Sequence, residues 1–567
     1  MSNPEIEKTS EETPEQIEFY EEEAHFNEEE AYFNEEEQFP DETPSGLSFN
    51  VSSSIETPPN DLFDWLIKDK NTCKAFFFTF DIEEPSLGKL IFRIPTSILP
   101  LTVSVVNGFY KSPYLIECVI LFQETNPYKT NPDYYKFTNP FYDETFPGSV
   151  LLKSRFQNFF KPDYKPSTQY RCQNYVLSPQ VHTDREELGR LVDVLVKEGF
   201  PYKKAENALR FCSNNIEQAR DYLITGLLEQ RSFPLPSKYA DCPLFYLILE
   251  ICEAFFMMCD CCCVCGKSLG VYHLKPACCN DKVCQYSFLN LGVGSNIVGE
   301  IKRDPLATDL IIALAGSAFT APSSPPVFEP SPESQGIHVD MSFFDTLPSM
   351  KNICMNCQND SDLIQYIGKN KYEILRFFIL ANKAQLITLP PSCRTSINAS
   401  PYQFLITSVS PESELVFRSK KDKCGVMWLW HGSDASRWYR ILHTGLKNMY
   451  KSEYQTHGGV GIFMSNSFYY SSCYCVNTKN IYKKSKLPKD FYVISLVENA
   501  KVSQLNFYIN NEYTQQDESA SITRVLFLID SSKRNNNADF DVVINPPTVP
   551  TLNEVLNKLM EQFTAFV

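Results

Sequence analysis

The spacing of hydrophobic and polar residues changes several times along the chain and predicts a different structure in each part. Between residues 61 and 145, runs such as KAFFFTFDIEE, GKLIFRIPTSILP and SPYLIECVILFQE are rich in β-forming residues and are separated by proline and glycine. Such runs are typical of strands joined in a meander. They predict a β-rich module over 61–145, and the irregular segment 146–183 that follows is predicted to be a linker.

Helical spacing replaces this pattern after residue 183. Apolar residues recur every three or four positions in three short blocks between 184 and 226, which predicts a bundle of three helices. The segment 240–320 is again helical in character and contains a cluster of cysteines. A run of proline and serine, TAPSSPPVFEPSPESQG, then marks a domain boundary near residue 335.

Beyond this boundary, residues 335–567 combine both patterns. The segments GVMWLWHGS, GGVGIFMSN, DFYVISLVEN and ITRVLFLID predict strands, while YEILRFFILANKAQLITL, ASRWYRILHTGL and SFYYSSCYC predict helices. Few of these strands are separated by a helix long enough for a parallel crossover. We therefore predict an antiparallel or mixed sheet with flanking helices, and a multidomain α+β fold for the whole chain.

Charge distinguishes a further segment at the start of the chain. The 567 residues carry a formal net charge of −17, but residues 1–45 contain sixteen Glu, one Asp and one Lys, which together give −16. Residues 1–60 are therefore predicted to be an acidic disordered tail. The remainder is nearly neutral and offers no strong signal for nucleic-acid binding.

Two apolar segments and the first ten residues of the chain indicate the expected cellular location. The window PLFYLILEICEAFFMM is interrupted by glutamates and LIIALAGSAF is too short, so no membrane span is predicted. The start MSNPEIEKTS lacks the basic and apolar regions of a secretory signal. We expect a reducing cytoplasmic location, or a nuclear one, where clustered cysteines more often bind metal than form disulfides.

The cysteines concentrate in CDCCCVCGKSLGVYHLKPACCNDKVC, from Cys259 to Cys284. A structural zinc ion takes four ligands in a tetrahedron, most simply from two cysteine pairs. Cys262 and Cys265 form a CxxC pair, and Cys279 and Cys284 supply the second pair, so these four are the predicted ligands of a closed structural zinc site. The spacing leaves three alternatives open. Cys278, Cys259 or His273 replaces one of the four ligands in the first, and a second CxxC pair at Cys354 and Cys357 takes part in the second. The third is a cluster of reduced cysteines without metal.

Two segments resemble domains that handle ubiquitin. The phrase FRIPTSILP resembles the strand-and-proline edge of ubiquitin-conjugating-enzyme-like folds, although no cysteine-centred active site accompanies it, so a noncatalytic module is expected. The helices of 184–226, joined by a Gly-Phe loop, resemble a ubiquitin-associated (UBA) domain. This resemblance implies that Gly199, Phe200 and Leu223 contact ubiquitin or ubiquitinated proteins. Glu198 stands where the family commonly has methionine, and a bundle that only packs against its neighbours is the alternative.

The motifs of the C-terminal domain follow one another in a set order. His-Gly-Ser at 431–433 precedes a helix that contains Trp438 and ends in Gly-Leu, and then come GIF at 461–463 and SSCY at 471–474. This ordered set resembles the catalytic domain of poly(ADP-ribose) polymerases, the diphtheria-toxin-like ADP-ribosyltransferases. The helix YEILRFFILANKAQLITLP and the cysteine-rich segment also resemble the mono-ADP-ribosyltransferase branch that carries an N-terminal cysteine-rich region.

The resemblance implies displacement of nicotinamide from the substrate NAD. His431 would bond the adenine-proximal ribose, and Ser433 lies beside it. Gly432 would hold the nicotinamide carboxamide through its backbone groups, and Ser471 would bond the same amide. Phe463 and Tyr474 would enclose the nicotinamide ring, since aromatic faces suit a planar cation.

Two positions depart from the family pattern. Phe463 replaces a tyrosine and lacks its hydroxyl group. Polymerising members carry a catalytic glutamate five residues before an aspartate on a late strand, and counting back from Asp530 gives Val525. The predicted function is therefore mono-ADP-ribosylation of acceptor proteins rather than chain elongation. A catalytically inactive adaptor that binds NAD, ADP-ribose or ubiquitin is the alternative.

Overall fold

The computed structural model describes most of the chain after residue 62. The predicted acidic tail, residues 1–60, lies outside the described residues. The described ranges are 63–177, 185–209, 239–321, 331–395, 400–449, 460–507 and 512–533, with short gaps at 78, 124–127, 129, 203–204, 206–207, 271–272, 274 and 294. Residues 216, 219, 220, 223, 554, 555 and 558 are described as well.

An antiparallel sheet of four strands, in the order β1-β2-β3-β4, forms the centre of the first part of the structure. In β2 and β3 every second side chain is buried, because successive residues of a strand point to opposite faces. Helices before and after the sheet complete its core. The elements are α1 (Asp64–Phe76), β1 (Asp81–Ile82), β2 (Lys89–Ile94), α2 (Leu101–Val106), β3 (Ile116–Leu121), β4 (Tyr134–Thr138), α3 (Ser149–Phe159) and α4 (Gln173–Val176).

The prediction of a linker over 146–183 is wrong for a large part of that segment. α3 begins after Gly148, whose φ of 87° lies in the left-handed region that favours glycine. Leu152 and Phe156 of α3 are completely buried. They belong to the core that the four-stranded sheet shares with a helix much later in the chain, a contact that the local pattern does not reveal.

The described part of the predicted UBA-like segment has a small core of its own. α5 (Arg185–Lys197) begins it, and every described position from Tyr202 to Leu223 is helical. Glu198 and Arg220 form an ion pair of 2.7 Å. The likeness of this cluster to a UBA domain stays a prediction. The fully buried residues of the cluster are Val192, Leu195, Ala205, Ala208, Leu209 and Ala219.

The apolar helix α6 (Pro243–Met257) is buried from Leu244 to Phe255 and belongs to the core of the four-stranded sheet. Its glutamates are tolerated because they have partners, as buried carboxylates must. Glu250 accepts hydrogen bonds from the hydroxyl groups of Tyr164 and Tyr170, at 2.8 and 2.9 Å. The predicted region 240–320 is thus divided between two cores, since its later helices pack elsewhere. Within the described ranges, every helix is too short or too polar to cross a bilayer.

The second part of the structure is a helical layer followed by a large sheet. Its helices are α7 (Lys282–Leu289), α8 (Ile297–Arg303), α9 (Pro305–Phe319), α10 (Met341–Thr346), α11 (Met350–Asn356), α12 (Asp360–Ile367), α13 (Lys369–Ala381), α14 (Pro411–Cys424), α15 (Trp438–Thr444) and α16 (Phe468–Ser472). Its strands are β5 (Gln385–Thr388), β6 (Tyr402–Ser408), β7 (Val426–Ser433), β8 (Ile462–Ser465), β9 (Thr478–Lys479), β10 (Asp490–Ala500), β11 (Leu505–Phe507), β12 (Glu512–Gln515) and β13 (Ser521–Asp530).

The nine described strands pair in the order β11-β12-β8-β7-β10-β13-β6-β5, with β9 beside β10. All of these pairs are antiparallel, which confirms the antiparallel form of the prediction. β10 is buried over nearly its whole length and pairs with β13 through nine residue pairs. β7 and β8, in contrast, share one pair, Trp430 with Ser465. The sheet therefore splits beside the last residues of β7.

Candidate active site

Strand β7 ends in the His-Gly-Ser motif at the point where the sheet splits. On one side the strand pairs with β10 along its full length, from Val426 to Ser433. On the β8 side, residues 431–433 have no strand partner among the described residues. An unpaired strand edge offers backbone N–H and C=O groups to a ligand. The topology thus exposes the predicted nicotinamide-binding backbone without any unusual conformation.

Gly432 is required at this edge by a close approach. A Cβ atom at this position would lie 1.9 Å from the carbonyl oxygen of Ser471 and 2.9 Å from the Sγ atom of Cys475. The Ser471 hydroxyl also donates a hydrogen bond of 3.0 Å to the carbonyl oxygen of Trp430. Glycine therefore allows α16 and the turn after it to lie directly on β7. With its proton used in this bond, the Ser471 oxygen retains lone pairs that accept a further hydrogen bond.

The imidazole ring of His431 bridges the gap between β7 and β8. Its Nδ1 atom lies 2.8 Å from the carbonyl oxygen of Phe463, and since a carbonyl oxygen only accepts, Nδ1 carries the proton. Burial lowers the pKa of His431, while the hydrogen bond to the Phe463 carbonyl acts in the opposite direction. The neutral ring is thereby favoured, and its Nε2 atom is an acceptor suited to a hydroxyl group.

The two predicted ring-stacking residues are both half-buried. Phe463 is on β8, and Tyr474 is in the turn after α16, where its N–H donates to the carbonyl oxygen of Ser471 at 3.2 Å. The Tyr474 hydroxyl lies 3.4 Å from that of Tyr470. Burial raises the pKa of Tyr474, and the Tyr470 hydrogen bond and the negative charge of Glu512 act in the same direction.

Ser433 and Val525 complete the predicted set. Ser433 is the last residue of β7, is buried, and lies opposite Val493 of β10. Val525 lies two strands from β7, with Leu496 of β10 between it and Trp430. It is 1% exposed within an apolar core, so this position brings no carboxylate to the site. His431, Gly432, Phe463, Ser471 and Tyr474 surround the open edge, whereas Val525 does not reach it.

Asp517 and Glu518, which directly precede β13 in the sequence, both have lysine partners. Asp517 pairs with Lys420 and accepts a hydrogen bond from the N–H of Ser519. Glu518 accepts hydrogen bonds from Lys447 and from the N–H of Asn448, at 3.0 and 2.7 Å. A third carboxylate, Glu512 on β12, lies on the strand that pairs with β8. Glu512 stands five residues before Asp517, so the spacing that gave Val525 when counted back from Asp530 also fits Glu512, and it is this residue that lies on the strand beside β8.

The four predicted zinc ligands converge in the structure. The Sγ atoms of Cys262, Cys265, Cys279 and Cys284 all lie within 4.8 Å of one another. The Sγ atoms of Cys265 and Cys279 are 3.9 Å apart, close to the ~3.8 Å edge of a tetrahedron with Zn–S bonds of about 2.3 Å. The N–H of Cys279 donates to the Sγ atom of Cys262 at 3.3 Å. Burial opposes ionisation of Cys262, but backbone hydrogen bonds outweigh it and lower its pKa to about 7. The group could therefore hold a metal ion.

The alternative cysteine and histidine positions lie outside this group of four. Cys278 is half-buried and Cys259 is buried. His273 is 1% exposed, and both its ring nitrogens lack a hydrogen-bond partner among the described residues. Cys354 and Cys357 are likewise not members of the group. The structure thus brings together the same four cysteines that the spacing favours.

The predicted ubiquitin-contacting residues are divided between surface and core. Gly199 is exposed and has a φ of 97°, which accounts for glycine in this loop. Phe200 and Leu223 are half-buried and pack against the small helical core around Val192. Their role in ubiquitin binding stays a prediction.

A separate cavity of about 340 Å³ lies away from the His-Gly-Ser motif. Lys275, Glu300 and Arg303 line one wall, and residues 379–386 line another. Lys275 pairs with Glu300 at 2.5 Å, and burial lowers the pKa of Lys275 to about 8. None of the predicted NAD-contacting residues borders this cavity.

Comparison with known proteins agrees with the geometry of the β7 edge. Residues 402–547 match the family model of the poly(ADP-ribose) polymerase catalytic domain, a range that begins with β6 and includes β13. Protein mono-ADP-ribosyltransferase PARP8 of Mus musculus is 26% identical over 214 residues, and the Homo sapiens protein of the same name is 25% identical over 214 residues. Each match covers 34% of this chain and 25% of the relative. The chain thus spans about a quarter of the length of the curated relatives it matches, and the predicted family resemblance of the C-terminal domain is confirmed.

Proposed function

We propose, on the premise that residues 402–547 are a poly(ADP-ribose) polymerase catalytic domain, that this chain transfers one ADP-ribose unit from NAD to acceptor proteins and releases nicotinamide. Both relatives are named protein mono-ADP-ribosyltransferases. The observation that carries the proposal is the open edge of β7. There His431 bonds the Phe463 carbonyl and Gly432 lies against Ser471, beside the split in the sheet.

The residues at this edge supply the contacts that the reaction needs. The backbone of Gly432 and the oxygen of Ser471 are suited to the carboxamide of nicotinamide, and the rings of Phe463 and Tyr474 to its faces. The neutral His431 accepts a hydrogen bond from a ribose hydroxyl at Nε2. Holding nicotinamide at one end of NAD and the adenine-proximal ribose at the other orients the bond between nicotinamide and its ribose for cleavage. That bond breaks through an oxocarbenium-like state, as in glycoside transfer, and the acceptor then bonds to the same carbon.

The names of the two relatives support transfer of a single unit, since both are called mono-ADP-ribosyltransferases. Val525 packs with Leu496 and Leu405 in an apolar core two strands from β7, so its side chain does not distinguish single transfer from chain extension. The carboxylate on the strand beside β8 is that of Glu512. We infer from the relatives that the site modifies acceptors once.

Incorporation of labelled NAD into protein tests this function. We expect transfer by the wild-type chain and a decrease of at least about 100-fold in His431→Ala. His443→Ala is the matched control, because His443 also bonds a backbone carbonyl through Nδ1, at 2.6 Å from Ala381, but lies outside the proposed site. Binding of NAD by the wild-type chain without any transfer would instead support the inactive adaptor.

We further propose that Cys262, Cys265, Cys279 and Cys284 bind one structural zinc ion. Their convergence within 4.8 Å and the absence of any carboxylate or histidine from the group support a closed tetrahedral site. We expect one equivalent of zinc in the purified protein and less than half an equivalent in Cys262→Ser with Cys265→Ser. Cys424→Ser, which changes an exposed cysteine elsewhere, is the control. A wild-type protein without zinc would contradict the proposal.

A further inference from the structure

The cavity of about 340 Å³ is bordered by three parts of the chain that lie far apart in the sequence. One wall comes from residues 275–278 of the cysteine-rich segment. A second wall comes from helices α7, α8 and α9, and the third from residues 379–386 and 409–412 together with His443 of α15. A cavity of this volume is large enough to hold a small organic molecule.

Apolar side chains form a large part of the lining. They come from two of the three walls, so an apolar ligand body would be in contact with protein on more than one side. Transfer of such a body from water into the cavity is favourable because apolar surface is buried. Examples of these lining residues are Phe288, Leu289, Ile311, Ile379 and Leu386.

The charged residues of the lining leave an excess of positive charge. Three basic residues, Lys275, Arg303 and Lys383, stand against two acidic residues, Glu300 and Glu412. Lys383 and Glu412 are exposed, so water screens their charges. Lys275 and Arg303 are only 13% and 10% exposed, and the excess charge therefore lies in the buried part of the cavity.

The two buried cations share one carboxylate. Glu300 lies 2.5 Å from the Nζ atom of Lys275 and 3.1 Å from Arg303. Burial opposes ionisation of Glu300, but the two cations outweigh it and lower its pKa to about 2. Burial and the charge of Arg303 lower the pKa of Lys275 to about 8, because Glu300 offsets them only in part. A second anion beside Lys275 would restore the balance.

Two buried polar atoms of the lining lack a hydrogen-bond partner among the described residues. They are the Nε atom of Arg303, which donates, and the Oε1 atom of Gln385, which accepts. The nearby carboxylate of Asp304 lies outside the lining and is engaged elsewhere, since it accepts from the N–H groups of Thr388 and Ala307 at 2.7 and 3.0 Å. Unpartnered buried polar atoms are costly, and a ligand that bonds to them removes this cost.

We propose that this cavity is a second ligand site, which binds a small organic anion with one negatively charged group on an apolar body. Lys275 and Arg303 contact the charged group, and the apolar lining contacts the body. The bound molecule touches both the cysteine-rich segment and the C-terminal domain. The site does not depend on the proposed NAD site, because none of the predicted NAD-contacting residues borders the cavity.

Two fluorescent probes that differ by one charge test the inference by titration of the full chain. Anilinonaphthalene sulfonate has an aromatic body and one negative charge, and N-phenylnaphthylamine has the same body without the sulfonate. In Lys275→Gln we expect the Kd of the sulfonate to rise about tenfold or more, and that of the neutral probe to change less than about twofold. Lys275→Arg, which keeps the charge, should bind the sulfonate nearly as the wild type does.

A second variant locates the site without changing its charge. Ala277→Leu places a larger side chain in the lining, so the Kd values of both probes should rise about tenfold or more. The matched control is Lys282→Gln, which neutralises an exposed lysine outside the lining and should leave both Kd values unchanged.

Three results would overturn the inference. The first is a wild-type chain without a saturable site for the sulfonate. The second is an equal loss of both probes in Lys275→Gln, which would show that Lys275 holds the walls of the cavity in place and does not bind an anion. The third is binding of the sulfonate that neither Lys275→Gln nor Ala277→Leu weakens, which would place the probe elsewhere.

Discussion

The two halves of the C-terminal sheet hold buried glutamates in opposite ways. In the half around β10 and β13, Arg524 bonds Glu498 at 2.9 Å and Glu414 at 2.7 Å, and Lys421 also pairs with Glu498. In the half around β8 and β12, Glu512 has no partner for its Oε1 atom within the described part of the chain. Glu498 and Glu512 are both 4% exposed, so burial is the same and only the pairing differs.

The backbone shows the same contrast between these halves. β10 and β13 share nine residue pairs, whereas β7 and β8 share one. A buried charge that is fully paired fixes the packing of its neighbours, while an unpaired one lowers stability. The first half is therefore organised for stability, whereas the second has an open strand edge and a glutamate whose Oε1 atom lacks a hydrogen-bond partner among the described residues. Substitutions in the two halves should separate stability from function.

The largest effect on stability is expected from Arg524→Ala. The change leaves Glu498 and Glu414 buried without their shared cation, which should lower the free energy of unfolding by about 3–5 kcal/mol. Urea denaturation measures this loss, and Arg418→Ala, on the exposed face of α14, is the control. NAD transfer per folded molecule should persist. A loss below about 1 kcal/mol would show that the paired half does not depend on this network.

The largest effect on function without a comparable loss of stability is expected from Gly432→Ala. The new Cβ would lie 1.9 Å from the Ser471 carbonyl oxygen, so α16 must move away from the edge of β7. We expect NAD transfer to fall by at least about 100-fold, because misplaced contacts at the reacting centre are costly, and stability to fall by about 1–3 kcal/mol. Gly189→Ala, where a Cβ meets no neighbour, is the control. Wild-type transfer by Gly432→Ala would contradict the close-approach interpretation.

An intermediate case is Asp309 of α9, which accepts hydrogen bonds but forms no ion pair within the described part of the chain. It accepts bonds from the Ser485 hydroxyl and the Lys486 N–H, at 2.5 and 2.7 Å. Burial raises its pKa from 3.8 to about 6, although these hydrogen bonds oppose the shift. Between pH 4 and 6 the folded state therefore binds more protons than the unfolded state, and stability falls as the pH rises through this window.

Asp309→Asn should remove this dependence. We expect the variant to exceed the wild type by about 1–3 kcal/mol at pH 7, with the difference vanishing near pH 4. Urea titrations at several pH values measure the slope. A variant less stable than the wild type at pH 7 would show that the two hydrogen bonds outweigh the burial of the charge.

The smallest effect on stability is expected from Glu512→Gln. Because no partner of the Oε1 atom is lost, the free energy of unfolding should change by less than about 0.5 kcal/mol or increase. The same urea titration compares it directly with Arg524→Ala. A loss of about 2 kcal/mol or more would place Glu512 with the structural glutamates and end the contrast between the two halves.

Local sequence patterns are enough to predict many of the strands, the C-terminal domain and the candidate zinc ligands of this protein. The apolar runs in ITRVLFLID and before His431 predict β13 and β7, and the order of the motifs predicts the domain that contains them. The spacing of Cys262, Cys265, Cys279 and Cys284 predicts the same four thiols that converge in space. Each of these features lies within a short segment, because the period of a strand, the residues of a turn and the spacing of metal ligands all depend on neighbouring positions in the sequence.

Contacts between distant segments decided the rest. α3 lies in the predicted linker because its apolar residues pack with α6, which follows them only after the small helical bundle. Glu512 reaches the pocket face because β12 pairs with β8, and Val525 leaves it because β13 packs two strands away. A sequence fixes which side chains share a strand face, but only the register between strands fixes which faces meet. That register is set by burial of the whole sheet, so only the tertiary structure decided that Glu512, and not Val525, lies beside the open strand edge.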